Sequence, residues 1–236
     1  TAHLNFLHRA FGPDGAILPP ENLRRKRYFV AETPFGLACM ARSDEENDQY
    51  YWRMTPFILP SFTIVPSGVD EMKIFTAAVP IDDTHMWGFT VLWHPDPSQT
   101  LPFRNFMDVD PVTFLPAANI YNDYQRDLEK QKHENWTGIG AIRTQDMAAQ
   151  EDQDGPICRR DQEHLGVTDR AIVATRRLLL QLADQLAEGI EPAQAHNAEA
   201  YRVRSVAGTG PRSLDPTELW KQGQPRPERA LVGTAT

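Results

Sequence analysis

Two histidines stand at the spacing His-x4-His at the start of the chain, His3 and His8 in the segment TAHLNFLHR. Imidazole nitrogen binds Fe, Zn or Cu. On an ideal α-helix a five-residue step turns the second ring ~140° from the first. A π-type bulge, a distortion frequent at functional positions, would bring both rings to one face. Two readings stay open, a metal pair or two ordinary packing and surface histidines. Asp146, in TQDMAAQE over residues 144–151, lies beside small and apolar residues and could be a buried carboxylate ligand. The acids Glu151, Asp152 and Asp154 nearby make a solvent-facing carboxylate the plainer alternative. If His3, His8 and Asp146 converge, they form a two-His, one-carboxylate face that leaves positions on Fe(II) for dioxygen and substrate. Arg53, in the aromatic run 50–58, is the candidate cation for an anionic substrate. Its plainer alternative is an arginine whose stem lies on a sheet surface with the head in water.

These residues need elements to hold them. Apolar and β-branched runs at 26–32, 37–41, 50–58, 62–65, 72–79 and 86–94 predict five or six strands, with turns at 33–36, 44–48, Pro60 and 82–84. Such short spacing implies an antiparallel meander with one face on a core. Along 50–58, alternation puts Tyr51, Arg53, Thr55 and Phe57 on one face and Tyr50, Trp52, Met54 and Ile58 on the other. Residues 122–131 are polar and helix-like, and 135–166 carries no sustained period, the mark of a structured functional loop. The clearest helix runs from Thr168, the expected N-cap, to the Gly189 stop, with an apolar stripe of Ile172, Val173, Leu178, Leu179, Leu182 and Leu186. After Ser205 the chain is rich in Pro, Gly and Arg and predicts an extended tail over 206–236, leaving 1–205 as the domain. The sum is an α+β domain, a curved antiparallel sheet packed on a long C-terminal helix.

Composition removes several classes of function. The 236 residues carry 32 acids against 24 bases, a formal charge of −8, which argues against nucleic acid or an anionic membrane as the main partner. No apolar run approaches the ~20 residues of a membrane span. The two cysteines, Cys39 and Cys158, cannot build a disulfide scaffold or a four-thiolate site, so reduced thiols and a cytoplasmic location are expected. His85, His94, His133, His164 and His196 lie in turns, polar stretches or a strand end and are poorer ligand candidates. No Gly-rich phosphate loop or G-x-S-x-G elbow occurs.

Three blocks together resemble the catalytic domain of Rieske non-haem iron ring-hydroxylating oxygenases, in the phthalate 4,5-dioxygenase-like group. They are HLNFLH at 3–8; NDYQRD at 122–127 followed by WTGI at 136–139; and TQD…QE at 144–151 followed by GPI, EHLG and TDR at 155–157, 163–166 and 168–170. The similarity spans roughly residues 1–205. The resemblance implies that His3, His8 and Asp146 ligate mononuclear Fe(II), with Glu151 on the same element as Asp146. It implies a helix-grip fold and a homotrimer fed by an NADH-dependent reductase. It also implies a Rieske [2Fe-2S] cluster, which needs two Cys and two His. Neither Cys39 nor Cys158 lies in a C-x-H or C-x-x-H pattern. The cluster domain is therefore expected to be absent from this chain, with the N-terminus truncated just before Thr1. The expected activity is O2-dependent hydroxylation of an aromatic, carboxylated compound, by cis-dihydroxylation or O-demethylation. The alternative is a non-catalytic helix-grip module that binds a hydrophobic ligand. A hydrolytic zinc enzyme is a third reading and would need a nearby general base.

Overall fold

A computed structural model describes residues 7–8, 10–11, 17–18, 26–66, 72–99, 107–153, 155 and 157–223. The chain forms two compact units. One comprises Thr1–Arg24, Ile81–His85 and Ser98–His164. Within it, β1 (Ala10–Phe11) and β2 (Ile17–Leu18) pair antiparallel. A 3-10 segment at Ile120–Gln125 precedes α1 (Leu128–His133) and α2 (Ile142–Glu151). Helix α1 starts where Asp127 Oδ1 accepts from the amides of Glu129 and Lys130, an N-cap that satisfies two otherwise orphaned donors. Helix α2 lies inside the stretch expected to be a loop. Its sequence IRTQDMAAQE has too few apolar residues to show a helical period, and local turn contacts position its start.

The second unit comprises Arg25–Pro80, Met86–Pro97 and Leu165–Thr236. Its strands are β3 (Arg27–Thr33), β4 (Gly36–Glu45), β5 (Gln49–Ile58), β6 (Phe62–Pro66), β7 (Lys73–Pro80), β8 (Met86–Trp93) and β9 (Val206–Pro211). They form one antiparallel sheet in the order β3-β4-β5-β6-β7-β8, with β9 added on β5. All six meander strands match the expected ones to within a few residues at each end. The free edge of β5 is shared: β9 pairs with residues 49–54 and β6 with 57–58. The sheet forks at that point, and the curved sheet with its long helix is the α+β, helix-grip arrangement.

Alternation along β5 sorts its side chains as expected. Trp52, Met54 and Ile58 are buried on one face, and Phe35, from the β3–β4 turn, joins them at 0% exposure. Gly36 closes that turn at φ +133, where an added Cβ would stand 2.5 Å from Phe57 O.

Ala200, Val203 and Leu219 cover this core from the C-terminal side. Residues 206–223, expected in an extended tail, are therefore built into the fold: β9 completes the sheet, and Leu219 in the 3-10 segment Pro216–Gly223 is 1% exposed. Residues 224–236 lie outside the described residues. Helix α3 (Arg170–Ala187) packs on β3 and β4. Its N-cap is Asp169 rather than Thr168, which sits in the preceding 3-10 turn. Gly189, at φ +83, supplies the left-handed stop. Ile172, Leu179 and Leu186 of the α3 stripe stay exposed. Among the described residues no helix is long and apolar enough to cross a membrane.

Candidate functional site

In the first unit the Asn135–Ile139 turn prepares the start of α2. Asn135 Oδ1 accepts from Thr137 N (3.2 Å), Thr137 Oγ1 (3.1 Å) and Gly138 N (2.7 Å). Asp127 N donates to Gly138 O at 3.1 Å, which ties the turn to the α1 cap. Gly138 has φ +73, and a Cβ there would lie 2.4 Å from Asp127 O, so the close approach requires glycine. Thr137 Oγ1 accepts from Ile139 N (3.1 Å), and the Ile139 carbonyl is thereby aimed at α2. Gln145 Nε2 donates to it at 2.7 Å.

Gln145 then reaches His8. His8 Nδ1 lies 2.8 Å from Gln145 Oε1, and His8 Nε2 lies 3.1 Å from Asp146 Oδ1. The His8 side chain is 8% exposed and that of Asp146 17%. Burial alone would lower the His8 pKa. The hydrogen bonds to Asp146 and Gln145 and the Asp146 charge outweigh it, so the pKa is raised. In the metal-free pair, that stabilisation is complete below the unfolded imidazole pKa and is lost as pH rises through the raised folded value.

The far end of α2 is tied to the 3-10 segment by Tyr124, whose hydroxyl donates to Glu151 Oε2 at 2.7 Å. Asp123, Tyr124 and Gln125 all have positive φ between 52 and 56, a strained left-handed run. Burial, followed by the bond to Glu151 and its charge, raises the Tyr124 pKa far above the usual phenol range, so the hydroxyl stays a donor. A cavity of about 400 Å³ lies beside α2, lined by Leu7, Tyr124, Trp136, Ile139, Gln145 and Ala148 among others.

Of the residues the sequence singled out, the structure thus brings His8 and Asp146 together. His3 lies outside the described residues. His8 itself stands in a turn rather than in a described helix. Among the described residues no three of His, Cys, Asp and Glu converge. Two donors bound ~2.1 Å from one ion at a right angle are ~3.0 Å apart, and the His8–Asp146 separation of 3.1 Å fits that bite. A soft-to-borderline imidazole with a hard carboxylate suits Fe(II) or Zn.

Arg53 belongs to the other unit. The register puts Tyr28, Ala41, Arg53 and Ala207 in one row across β3, β4, β5 and β9. Arg53 Nη2 donates to Pro66 O at 2.6 Å, while its buried Nε has no acceptor. Burial lowers the pKa of Arg53, and both burial and the Arg53 charge lower that of Lys26. The two cations therefore face one another in partial burial. His85, His133 and His196 pair with Asp82, Glu129 and Glu191 on exposed surface.

Sequence reasoning missed Gln145 and Tyr124 as site residues. One signal was available for Gln145, its place next to a proposed carboxylate ligand, because a ligating imidazole needs an acceptor for its second N–H.

The family described as LigXa C-terminal domain like matches residues 8–224. The oxygenase subunit of 3-chlorobenzoate-3,4-dioxygenase from Comamonas testosteroni is 29% identical over 249 residues, covering 94% of this chain and 57% of that subunit. The phthalate 4,5-dioxygenase oxygenase subunit from Pseudomonas putida is 32% identical over 174 residues, covering 69% of this chain and 39% of that subunit. The chain thus spans little more than half the length of the first relative and less than half that of the second.

Proposed function

The chain belongs to the LigXa C-terminal domain-like family, and from that premise we propose that it is the catalytic portion of an aromatic-ring oxygenase component. The observation that carries the proposal is the His8 Nε2–Asp146 Oδ1 pair, 3.1 Å apart and shielded from water. The proposed substrate is an aromatic, carboxylated compound, hydroxylated by cis-dihydroxylation or O-demethylation. The two relatives support that class, since their names specify chlorobenzoate and phthalate.

In this reading His8 and Asp146 hold mononuclear Fe(II), with His3 as the third ligand. Bound iron supplies the activation of dioxygen. The protein's part is to hold the donors. Asp146 stands on α2, and Tyr124 anchors that helix through Glu151. Gln145 orients the imidazole. In the sheet unit, Arg53 is the proposed partner for a substrate carboxylate, supported by its half-buried charge and unmatched Nε. A [2Fe-2S] cluster needs two Cys and two His. Cys39 lies within β4, and Cys158 Sγ donates to Glu163 Oε1 at 3.3 Å in the other unit. These residues do not fit a cluster, so electrons must come from elsewhere in the assembly. The proposed source is a Rieske centre, a homotrimeric arrangement and an NADH-dependent reductase.

The test is iron content. Purified wild-type protein should carry near-stoichiometric iron by elemental analysis, while His8→Ala and Asp146→Ala should lose most of it. Unchanged iron in both variants would refute the assignment. A metal-free protein that retains a hydrophobic ligand would favour the binding-module alternative, for which the cavity beside α2 leaves room.

A further inference from the structure

A metal-ligating imidazole has two nitrogens, and only the one without a proton can bind. Which nitrogen that is depends on the partner of the other. Here the partner is not free to choose its orientation. The Ile139 carbonyl can only accept, and it receives Gln145 Nε2 at 2.7 Å. The Gln145 amide must therefore turn its oxygen the other way, toward His8 Nδ1 at 2.8 Å. Reversing the amide would set Oε1 against the Ile139 carbonyl oxygen. Gln145 and Ile139 are 4% and 6% exposed, so little water is at hand to relieve two opposed acceptors. The carbonyl itself cannot swing aside cheaply, because Asn135 and Thr137 hold its turn and Gly138 is pressed against Asp127 O.

We propose that Gln145 is a positioning residue that locks His8 in the Nδ1–H tautomer, and so presents Nε2 to the metal position beside Asp146. The inference rests on the metal reading of the His8–Asp146 pair. It goes beyond that reading by assigning the lock to one side chain and tracing its orientation to the Asn135–Ile139 turn. The geometry also explains the metal-free state. Nε2 faces the Asp146 carboxylate, which can only accept, so a proton sits there as well as on Nδ1, and metal binding exchanges the Nε2 proton while Nδ1–H stays on Gln145.

The proton position can be read without metal or turnover. Long-range 1H–15N correlation spectra of the full, metal-free Asp146→Ala chain, which lacks the carboxylate that would hold a proton on Nε2, should show neutral His8 with Nδ1 protonated and Nε2 bare. The His8→Gln variant assigns the signal. In that background Gln145→Met keeps the volume and removes the acceptor; it should shift His8 toward the Nε2–H form or a mixture of the two. Gln145→Glu in the same background, with its carboxyl proton on the oxygen that faces the Ile139 carbonyl, still presents an oxygen to Nδ1 and should retain the parent tautomer.

Co(II) and Zn(II) affinities should follow the tautomer, with Gln145→Met weaker by about 10–100-fold and Gln145→Glu within a few-fold of wild type. A merely structural role for Gln145 would lower stability in both variants without sorting them by tautomer. An Nε2–H spectrum in the Asp146→Ala parent, or a Gln145→Met tautomer identical to that parent, overturns the inference. Failure of the wild type to bind either metal would instead overturn the metal reading, while the metal-free spectra still decide the role of Gln145.

Discussion

Leu219 offers a sharp test of whether the C-terminal segment belongs to the core. It is 1% exposed and packs in the cluster that contains Phe35, Trp52 and Met54. Leu219→Ala removes three carbon atoms. At ~0.8 kcal/mol per buried methylene, lost transfer energy alone costs ~2.4 kcal/mol. A cavity that does not collapse adds ~24 cal/mol per Å³ and takes the total toward ~5 kcal/mol. Collapse should be limited, because rigid aromatic groups form much of the surroundings: Trp220 next to Leu219 meets Phe35 edge-on at 6.0 Å. Urea unfolding followed by tryptophan fluorescence reads the change directly. With a slope of ~2 kcal/mol per molar urea, the midpoint should fall by ~1.2–2.5 M at unchanged slope. Leu180→Ala on α3 is the control: Leu180 is 67% exposed, and the change should stay within ~0.5 kcal/mol. A Leu219→Ala midpoint as close to wild type as the control would refute the reasoning and return residues 206–223 to the status of a tail.

Two further outcomes follow from buried groups and close contacts. Burial pushes the Cys39 thiol up to about 11, so below that pH it stays protonated. At pH 8 iodoacetamide should label Cys158 and spare Cys39, with Cys39 reacting only near pH 11 or in denaturant; peptide mass spectra showing equal labelling at pH 8 would contradict this. Gly138→Ala forces a Cβ to 2.4 Å from Asp127 O at φ +73, and should cost ~1–3 kcal/mol in thermal unfolding. Gly140→Ala, with nothing within 4 Å of its Cβ, should be neutral to slightly stabilising. Equal losses in the two variants would mean that the turn is not held by that contact.

The six strands of the meander were legible because their information is local. Period-two alternation put Trp52, Met54 and Ile58 on one face whatever the rest of the chain did, and Gly36 and the 44–48 acids punctuated the hairpins. The resemblance singled out Asp146, and the structure sets it beside His8 across 138 positions of chain. Other features carried no local signal. VAGTGP at 206–211 has neither alternation nor apolar mass. It becomes a strand because residues 49–54 of β5 expose unpaired backbone groups that only a neighbour in space can satisfy. Leu219 likewise reads as one apolar residue in a polar stretch, and its burial depends on a sheet assembled more than a hundred residues earlier. Gln145 is the clearest case. Its sequence position marks it only as the residue before a carboxylate. Its orientation is set by a carbonyl six residues back, and its meaning by a histidine 137 residues away. Composition and spacing thus determined the strands and the α+β class, since each depends on near neighbours in the chain, and the resemblance named the candidate donors. Tertiary structure alone decided which donors meet and which nitrogen of His8 faces Asp146, because hydrogen-bond geometry between distant segments exists only once both are in place.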